Sequence, residues 1–305
     1  MKSGLIVLIA ATAASSFAGA AFAQCATVDP VVVPQIRVDP LDAAGPAELV
    51  QPLILTFRRT GLDVAPLTVR YQIVDEDSNL RSRVGQSRGP MVEWQGEDSS
   101  RDIGAFRSEA YSLLRSSRAV FGENDQATQQ SVVLRLTNLR EDLSAGVYRE
   151  QFTVRYWCGE DDGPMPYEAQ GAIAVSVAVP NVLSANVAGA TARGEIDFLD
   201  FAVRDRSLQV SVRSTGPWRV TARSVNGGVM LRDQARLTGD PADRIRYAAS
   251  FDGEPIGVDG ASSQLMARAG LLGRQIPLDI QVEDTQSKRA GAYADTLLLT
   301  LSPAN

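Results

Sequence analysis

Apolar residues recur at every second position along most of the chain, and the pattern is cleanest in its second half. Leu208, Val210 and Val212 alternate with Gln209, Ser211 and Arg213. Trp218, Val220 and Ala222 alternate with Arg219, Thr221 and Arg223. After the glycine turn Asn226-Gly227-Gly228 come Ile245, Tyr247, Ala249 and Phe251. Ile276, Leu278, Ile280 and Val282 then oppose Pro277, Asp279, Gln281 and Glu283. A period of two gives each strand one apolar and one polar face, which two packed antiparallel sheets satisfy. The sequence therefore predicts an all-β fold.

The first half alternates more loosely, through Leu53, Leu55 and Phe57, then Leu67, Val69, Tyr71 and Ile73, then Val132, Leu134 and Leu136. Phe152, Val154, Tyr156 and Cys158 close the series. Between Arg101 and Phe121 the period changes. Ile103, Phe106, Ala110 and Leu113 fall at helical spacing and predict one amphipathic helix laid on the sheets.

An internal repeat fixes the domain count. Ala145-Gly146-Val147-Tyr148 precedes Phe152, Val154 and Tyr156; Ala290-Gly291-Ala292-Tyr293 precedes Leu297, Leu299 and Leu301. The glycine, the tyrosine and three apolar positions coincide at one constant offset, as two similar sandwiches would give. Between them Ile173, Val175, Val177 and Val179 share one face of a strand that Pro180-Asn181 stops. Four such side chains are worth about 6–12 kcal/mol gross when buried, so this strand needs a deep groove. The pattern alone leaves open which sandwich it serves. The expected division is residues 24–169 as a first sandwich, 170–181 as a linking strand and 182–305 as a second sandwich.

Composition adds an address and an exclusion. Lys2, the apolar run Leu5–Ile9 and the small-residue tail to Ala21-Phe22-Ala23 read as a secretory signal over residues 1–23, with cleavage before Gln24. The run is too short to span a bilayer, which takes about 20 apolar residues. Export into an oxidising compartment would pair Cys25 with Cys158, with two free thiols as the alternative. Histidine is absent from the 305 residues, which excludes a Ser-His-Asp triad, a Cys-His dyad and His-ligated zinc. The net charge of −6 disfavours nucleic acid as a partner. No cofactor is implied and no enzyme is expected. Gly85-Gln86-Ser87-Arg88-Gly89 matches G-x-S-x-G without a base to serve it. Asp75–Asn79 starts like a calcium loop, but Leu80 and Gln86 stand where glycine and glutamate belong. These stretches, and Glu160-Asp161-Asp162, are expected to be solvated turns. Of the tryptophans, Trp218 is expected in the core and Trp157 on the surface.

The second half resembles the spore coat protein U domain, the pilin-like module of archaic chaperone–usher pili. The resemblance lies in Gly194-Glu195-Ile196-Asp197-Phe198, in Ser214-Thr215-Gly216-Pro217-Trp218 through Asn226–Leu231, and in Gly291-Ala292-Tyr293-Ala294-Asp295-Thr296-Leu297. The first half matches only through Cys25 and its closing strand. The resemblance implies two tandem immunoglobulin-like antiparallel β-sandwiches, the second lacking its final strand. Tyr293, Leu297, Leu299 and Leu301 would then line a groove filled first by a periplasmic chaperone. At an outer-membrane usher, a neighbouring pilin subunit would take over by β-strand addition. The strand Ile173, Val175, Val177 and Val179 can complete the first sandwich in cis. With one residue ahead of Cys25 after cleavage and no strand expected beyond Leu301, the chain should accept a strand and donate none. It is thus expected at the tip of a cell-surface fimbrium, with the first sandwich as an adhesive head for some receptor. A periplasmic pilus-assembly chaperone and an autonomous periplasmic immunoglobulin-like binding module are the alternatives.

Overall fold

A computed structural model of the chain describes all residues except 1–23, 43, 63, 76–88, 97–101, 107–111, 141, 160–165, 188–191, 233–239 and 305. The expected signal segment, Glu76–Asn79, Gly85–Arg88 and Glu160–Asp162 lie outside the described residues.

The first half forms β1 (Ala26–Val28), β2 (Val31–Val32), β3 (Ile36–Arg37), β4 (Leu49–Arg59), β5 (Leu67–Asp75) and β6 (Met91–Gln95). It continues with β7 (Gly104–Phe106), β8 (Ser117–Phe121), β9 (Ala127–Thr137), β10 (Gly146–Cys158) and β11 (Tyr167–Val179). One sheet runs β1-β4-β9-β6. The other runs β2-β11-β10-β5-β7, with β3 also on β11 and β8 also on β5. Leu53, Leu55 and Phe57 of β4 meet Phe152, Val154 and Tyr156 of β10 in one core between the sheets. The alternation read from the sequence produces this directly, because successive side chains of a strand point to opposite faces.

The linking strand belongs to this sandwich. β11 starts at Tyr167, three residues ahead of the expected segment, and pairs antiparallel with β10 from Tyr156↔Tyr167 to Gly146↔Val179. Its Ile173, Val175, Val177 and Val179 are buried in the same core. Cys25 and Cys158 form a disulfide that ties the residue just before β1 to the end of β10.

The second half forms β12 (Leu183–Val187), β13 (Asp205–Ser214), β14 (Trp218–Ser224), β15 (Val229–Arg232) and β16 (Arg244–Phe251). β17 (Glu254–Ile256), β18 (Gln264–Met266), β19 (Gly270–Val282), β20 (Tyr293–Ala294) and β21 (Leu297–Pro303) follow. One sheet runs β12-β13-β19-β16-β15-β20 and the other β18-β14-β21. Trp218 sits at the centre of the second core with no exposure, against Phe251. The two halves follow one plan. β13, β19, β14 and β21 take the places of β4, β9, β5 and β10, the arrangement of an immunoglobulin-like sandwich.

Two expectations fail. The described part of residues 101–121 contains no α-helix: it holds β7, a 3₁₀ turn at Leu113–Arg115, and β8. Ala119 and Phe121 are buried while Val120 is exposed, a period of two. Of the four positions read as helical, Ile103 lies just before β7, Phe106 ends β7 and Leu113 opens the 3₁₀ turn, while Ala110 lies outside the described residues, so the spacing runs across separate short elements. The segment does cross the sandwich, since Gln72 Nε2 donates to the carbonyls of Ser112 and Arg115. Trp157, expected on the surface, is 4% exposed. Gln72, Thr153 and Arg155, which also point away from the core, are buried with it, so the outer face of β5 and β10 is covered.

Candidate functional site: an open strand edge

The repeated motif makes the same corner twice. Gly146 and Gly291 have φ of +153° and +151°, a backbone that residues with a Cβ rarely adopt. Two residues on, Tyr148 donates its hydroxyl to the Ser144 carbonyl at 2.8 Å, and Tyr293 donates to the Arg289 carbonyl at 2.7 Å. Both bonds reach four residues back, as in the tyrosine corner of immunoglobulin-like folds. The tyrosine thus fixes the angle at which the following strand enters the sandwich. Tyr293 also rests edge-on against Phe201, which stacks on Phe198 of the Gly194–Phe198 motif.

After this corner the two copies diverge. β10 continues unbroken, whereas the second copy switches sheets. Tyr293 and Ala294 pair with β15, and Leu297–Pro303 pair with β14. Tyr293 therefore stands at the head of the Leu297, Leu299, Leu301 row rather than within it. The break is organised by Asp295. Its carboxylate accepts from the Ser224 and Tyr247 hydroxyls and from the Asn226 N–H. Ser224 Oγ in turn accepts from Gly228 N–H, so one aspartate holds the Asn226-Gly227-Gly228 turn against the start of β21. Burial, reinforced by the hydrogen bond to Asp295, pushes the Tyr247 phenol well above its ordinary pKa. The phenol stays protonated and keeps donating.

β21 pairs with β14 on one side and, among the described residues, with nothing on the other. The parity of the ladder tells which groups are unpaired. Val225 N–H donates to Thr296 O at 2.9 Å, and Ala304 N–H donates to Pro217 O at 3.0 Å. Even-numbered residues of β21 thus turn their backbone groups to β14. The N–H and C=O groups of Leu297, Leu299 and Leu301 face the open side. The same leucines direct their side chains at the second core.

The repeat supplies an internal control. Phe152, Val154 and Tyr156 hold the positions of Leu297, Leu299 and Leu301, and all three are 0% exposed. The leucines are only partly buried, as are Leu183, Ile196 and Phe201 around the same core. What the first sandwich has and the second, among the described residues, lacks is a partner for this strand: β11 covers β10. The other edge strands are shorter: β1, β2, β3, β7, β17, β18 and β20 have three residues or fewer, β6, β8 and β12 have five, and prolines 30 and 34 flank β2. β21 offers seven residues whose first proline is Pro303.

The first described residues are engaged in the sandwich they precede. Thr60 N–H donates to Cys25 O, β1 pairs with β4, and Val33 and Val38 N–H donate to Ala174 and Ala178 carbonyls. Gln24 contacts the Tyr156 hydroxyl, which donates to Ala26 O. Residues 24–38 are thereby woven into the first sandwich. The alternation signalled the strands, but not the Asp295 cluster or the break before Leu297.

No protein-family model matches the chain, and no curated protein sequence does. Among solved structures, it is similar to a chain of the CsuC–CsuE chaperone–tip adhesion subunit pre-assembly complex from archaic chaperone-usher Csu pili of Acinetobacter baumannii. The identity there is 12%, over 91% of this chain and 99% of that one, with a TM-score of 0.38. For the CupB6 tip adhesin of Pseudomonas aeruginosa the identity is 12%, the coverage 90% and 92%, and the TM-score 0.44. For CfaE, the adhesive subunit of CFA/I fimbria of enterotoxigenic Escherichia coli, the values are 8%, 91% and 94%, and 0.42. These are loose likenesses of arrangement at low identity.

Proposed function

We propose that the chain is an exported pilus subunit whose second sandwich is completed in trans by a β-strand from another chain. The observation that carries this is the contrast within the repeat: the β10 side chains are sealed by β11, and the equivalent β21 side chains and backbone groups are unsealed. An apolar row beside unpaired backbone groups is costly to expose and prone to association. A strand with three apolar residues facing the row would gain about 1.5–3 kcal/mol gross for each one buried, less the cost of ordering it. A periplasmic chaperone would supply that strand first, and a neighbouring subunit would replace it at an outer-membrane usher. The engagement of residues 24–38 in their own sandwich makes that segment unavailable for lending, which supports a subunit that accepts a strand. That is the position of a fibre tip, with the first sandwich as its adhesive head. A chaperone reading is weakened by the same edge, since a chaperone's second sandwich has no need of a partner.

The test is to append a copy of residues 167–179, through a flexible linker, after residue 305. The reading expects the second sandwich to gain several kcal/mol and the purified chain to stop self-associating. Unchanged stability and unchanged association would refute it.

A further inference from the structure

The last rung of the β14–β21 ladder is made in an unusual way. Residue 217 faces Ala304, and Ala304 N–H donates to its carbonyl at 3.0 Å. The reciprocal bond would need an N–H on residue 217, and proline has none. Asn181 fills the gap. Its Nδ2 donates to the Ala304 carbonyl at 2.6 Å and to the Pro217 carbonyl at 3.0 Å. Asn181 belongs to neither sheet. It lies in Pro180-Asn181-Val182, the short linker between β11 and β12.

The turn that receives this side chain also receives the rest of the linker. Thr215 has no exposed surface. Its hydroxyl donates to Pro180 O at 2.7 Å and accepts from Val182 N–H at 2.9 Å, while its own N–H donates to Val182 O at 3.1 Å. Its carbonyl accepts from Ala145 N–H of the first sandwich at 2.7 Å. A Cβ on Gly216 would stand 2.7 Å from Asn181 Oδ1, so only glycine lets the amide lie this close. Farther along the junction, the Asp142 carboxylate accepts from Leu271 N–H at 2.9 Å and pairs with Arg268.

We propose that Asn181 is a positioning residue for the strand-accepting edge. By standing in for the missing N–H of Pro217, it fastens the end of β21 to the interdomain linker. The edge strand and the setting of the first sandwich are then coupled: displacing the linker removes a rung from β21, and what orders β21 steadies the linker. Such coupling is reciprocal. Only the naming of β21 as an acceptor rests on the function proposed above; the rung does not.

The test uses the full chain with no added strand, so its outcome is independent of whether strand addition occurs. NMR amide exchange is read at Ser302 and Ala304, and the distance between spin labels at Ser131 and Ser263 is read by pulsed EPR. Asn181→Ala should speed exchange at Ala304 about fivefold or more, the order expected for losing one hydrogen bond. It should also broaden the interdomain distance distribution. Pro217→Ala restores a backbone donor. Added to Asn181→Ala, it should return Ala304 to slow exchange while leaving the distances broad, because the rung is repaired without the linker. Asn181→Asp, which keeps the shape and loses the donor, should behave like Asn181→Ala. Unchanged exchange in Asn181→Ala, or failure of Pro217→Ala to restore it, overturns the proposal.

Discussion

Leu299 and Val154 hold equivalent positions in the repeat, so one substitution at both sites should separate an open strand from a sealed one. Val154 is 0% exposed and β10 is paired on both sides. An aspartate there must take up a proton at neutral pH, and raising its pKa from about 3.9 to above 7 costs about 4 kcal/mol. Losing the buried valine adds about 1.5–3 kcal/mol. The sum approaches the whole stability of a domain, about 5–15 kcal/mol, so Val154→Asp should leave the first sandwich largely unfolded. Leu299 sits beside the unpaired edge and is partly exposed. A carboxylate there can reach water, and Leu299→Asp should cost the free chain only about 1–2 kcal/mol from reduced burial. Once a strand covers the row, the same carboxylate is trapped, and a loss of about 4 kcal/mol is about a thousandfold in affinity for that strand. Urea unfolding followed by fluorescence distinguishes the sandwiches, because Trp94 and Trp157 report on the first and Trp218 on the second. If Leu299→Asp unfolded the second sandwich of the free chain as completely as Val154→Asp unfolds the first, the open-edge reasoning would be refuted.

Replacing Cys25 and Cys158 with serine reopens a loop of 133 residues. That should cost the first sandwich about 5 kcal/mol on the loop-entropy account and leave the Trp218 transition in place. Alkali should weaken both sandwiches. Burial raises the Tyr156 pKa, and burial followed by the Asp295 hydrogen bond raises that of Tyr247. The stability each contributes is complete below about pH 10, the ordinary tyrosine value, and is lost as pH rises through the folded-state pKa. The unfolded chain sheds its protons first, so stability should fall by at most about 1.4 kcal/mol per pH unit for each tyrosine. Tyr247→Phe should remove that slope from the second transition when urea midpoints are compared between about pH 9 and pH 11.

What the sequence disclosed, and what it hid, follows from the range of each interaction. Strand alternation is local, so β13, β14, β19 and β21 were legible from Leu208, Trp218, Ile276 and Leu297 onward. The repeat exposed the two equivalent strands because the glycine at positive φ and the tyrosine that bonds four residues back are both local requirements. The residues between 101 and 121 misled because the spacing of Ile103, Phe106 and Leu113 runs across separate short elements, each too short to show a period of its own. Trp157 misled because alternation names a face and says nothing of what crosses it. The choice of β10 as the partner of β11 depends on pairing across the fold, as do the Asp295 and Thr215 clusters. In the sequence these residues appear only as members of motifs without a stated role.

Hydrogen exchange along β21 reads the edge residue by residue. With one side of the strand paired and the other bare, the amides of Leu298, Thr300 and Ser302 should be protected in the free chain while those of Leu297, Leu299 and Leu301 exchange freely. Adding a complementing strand should slow the second set. Equal protection of both sets in the free chain would mean that β21 already has a second partner, and the case for strand addition would fall.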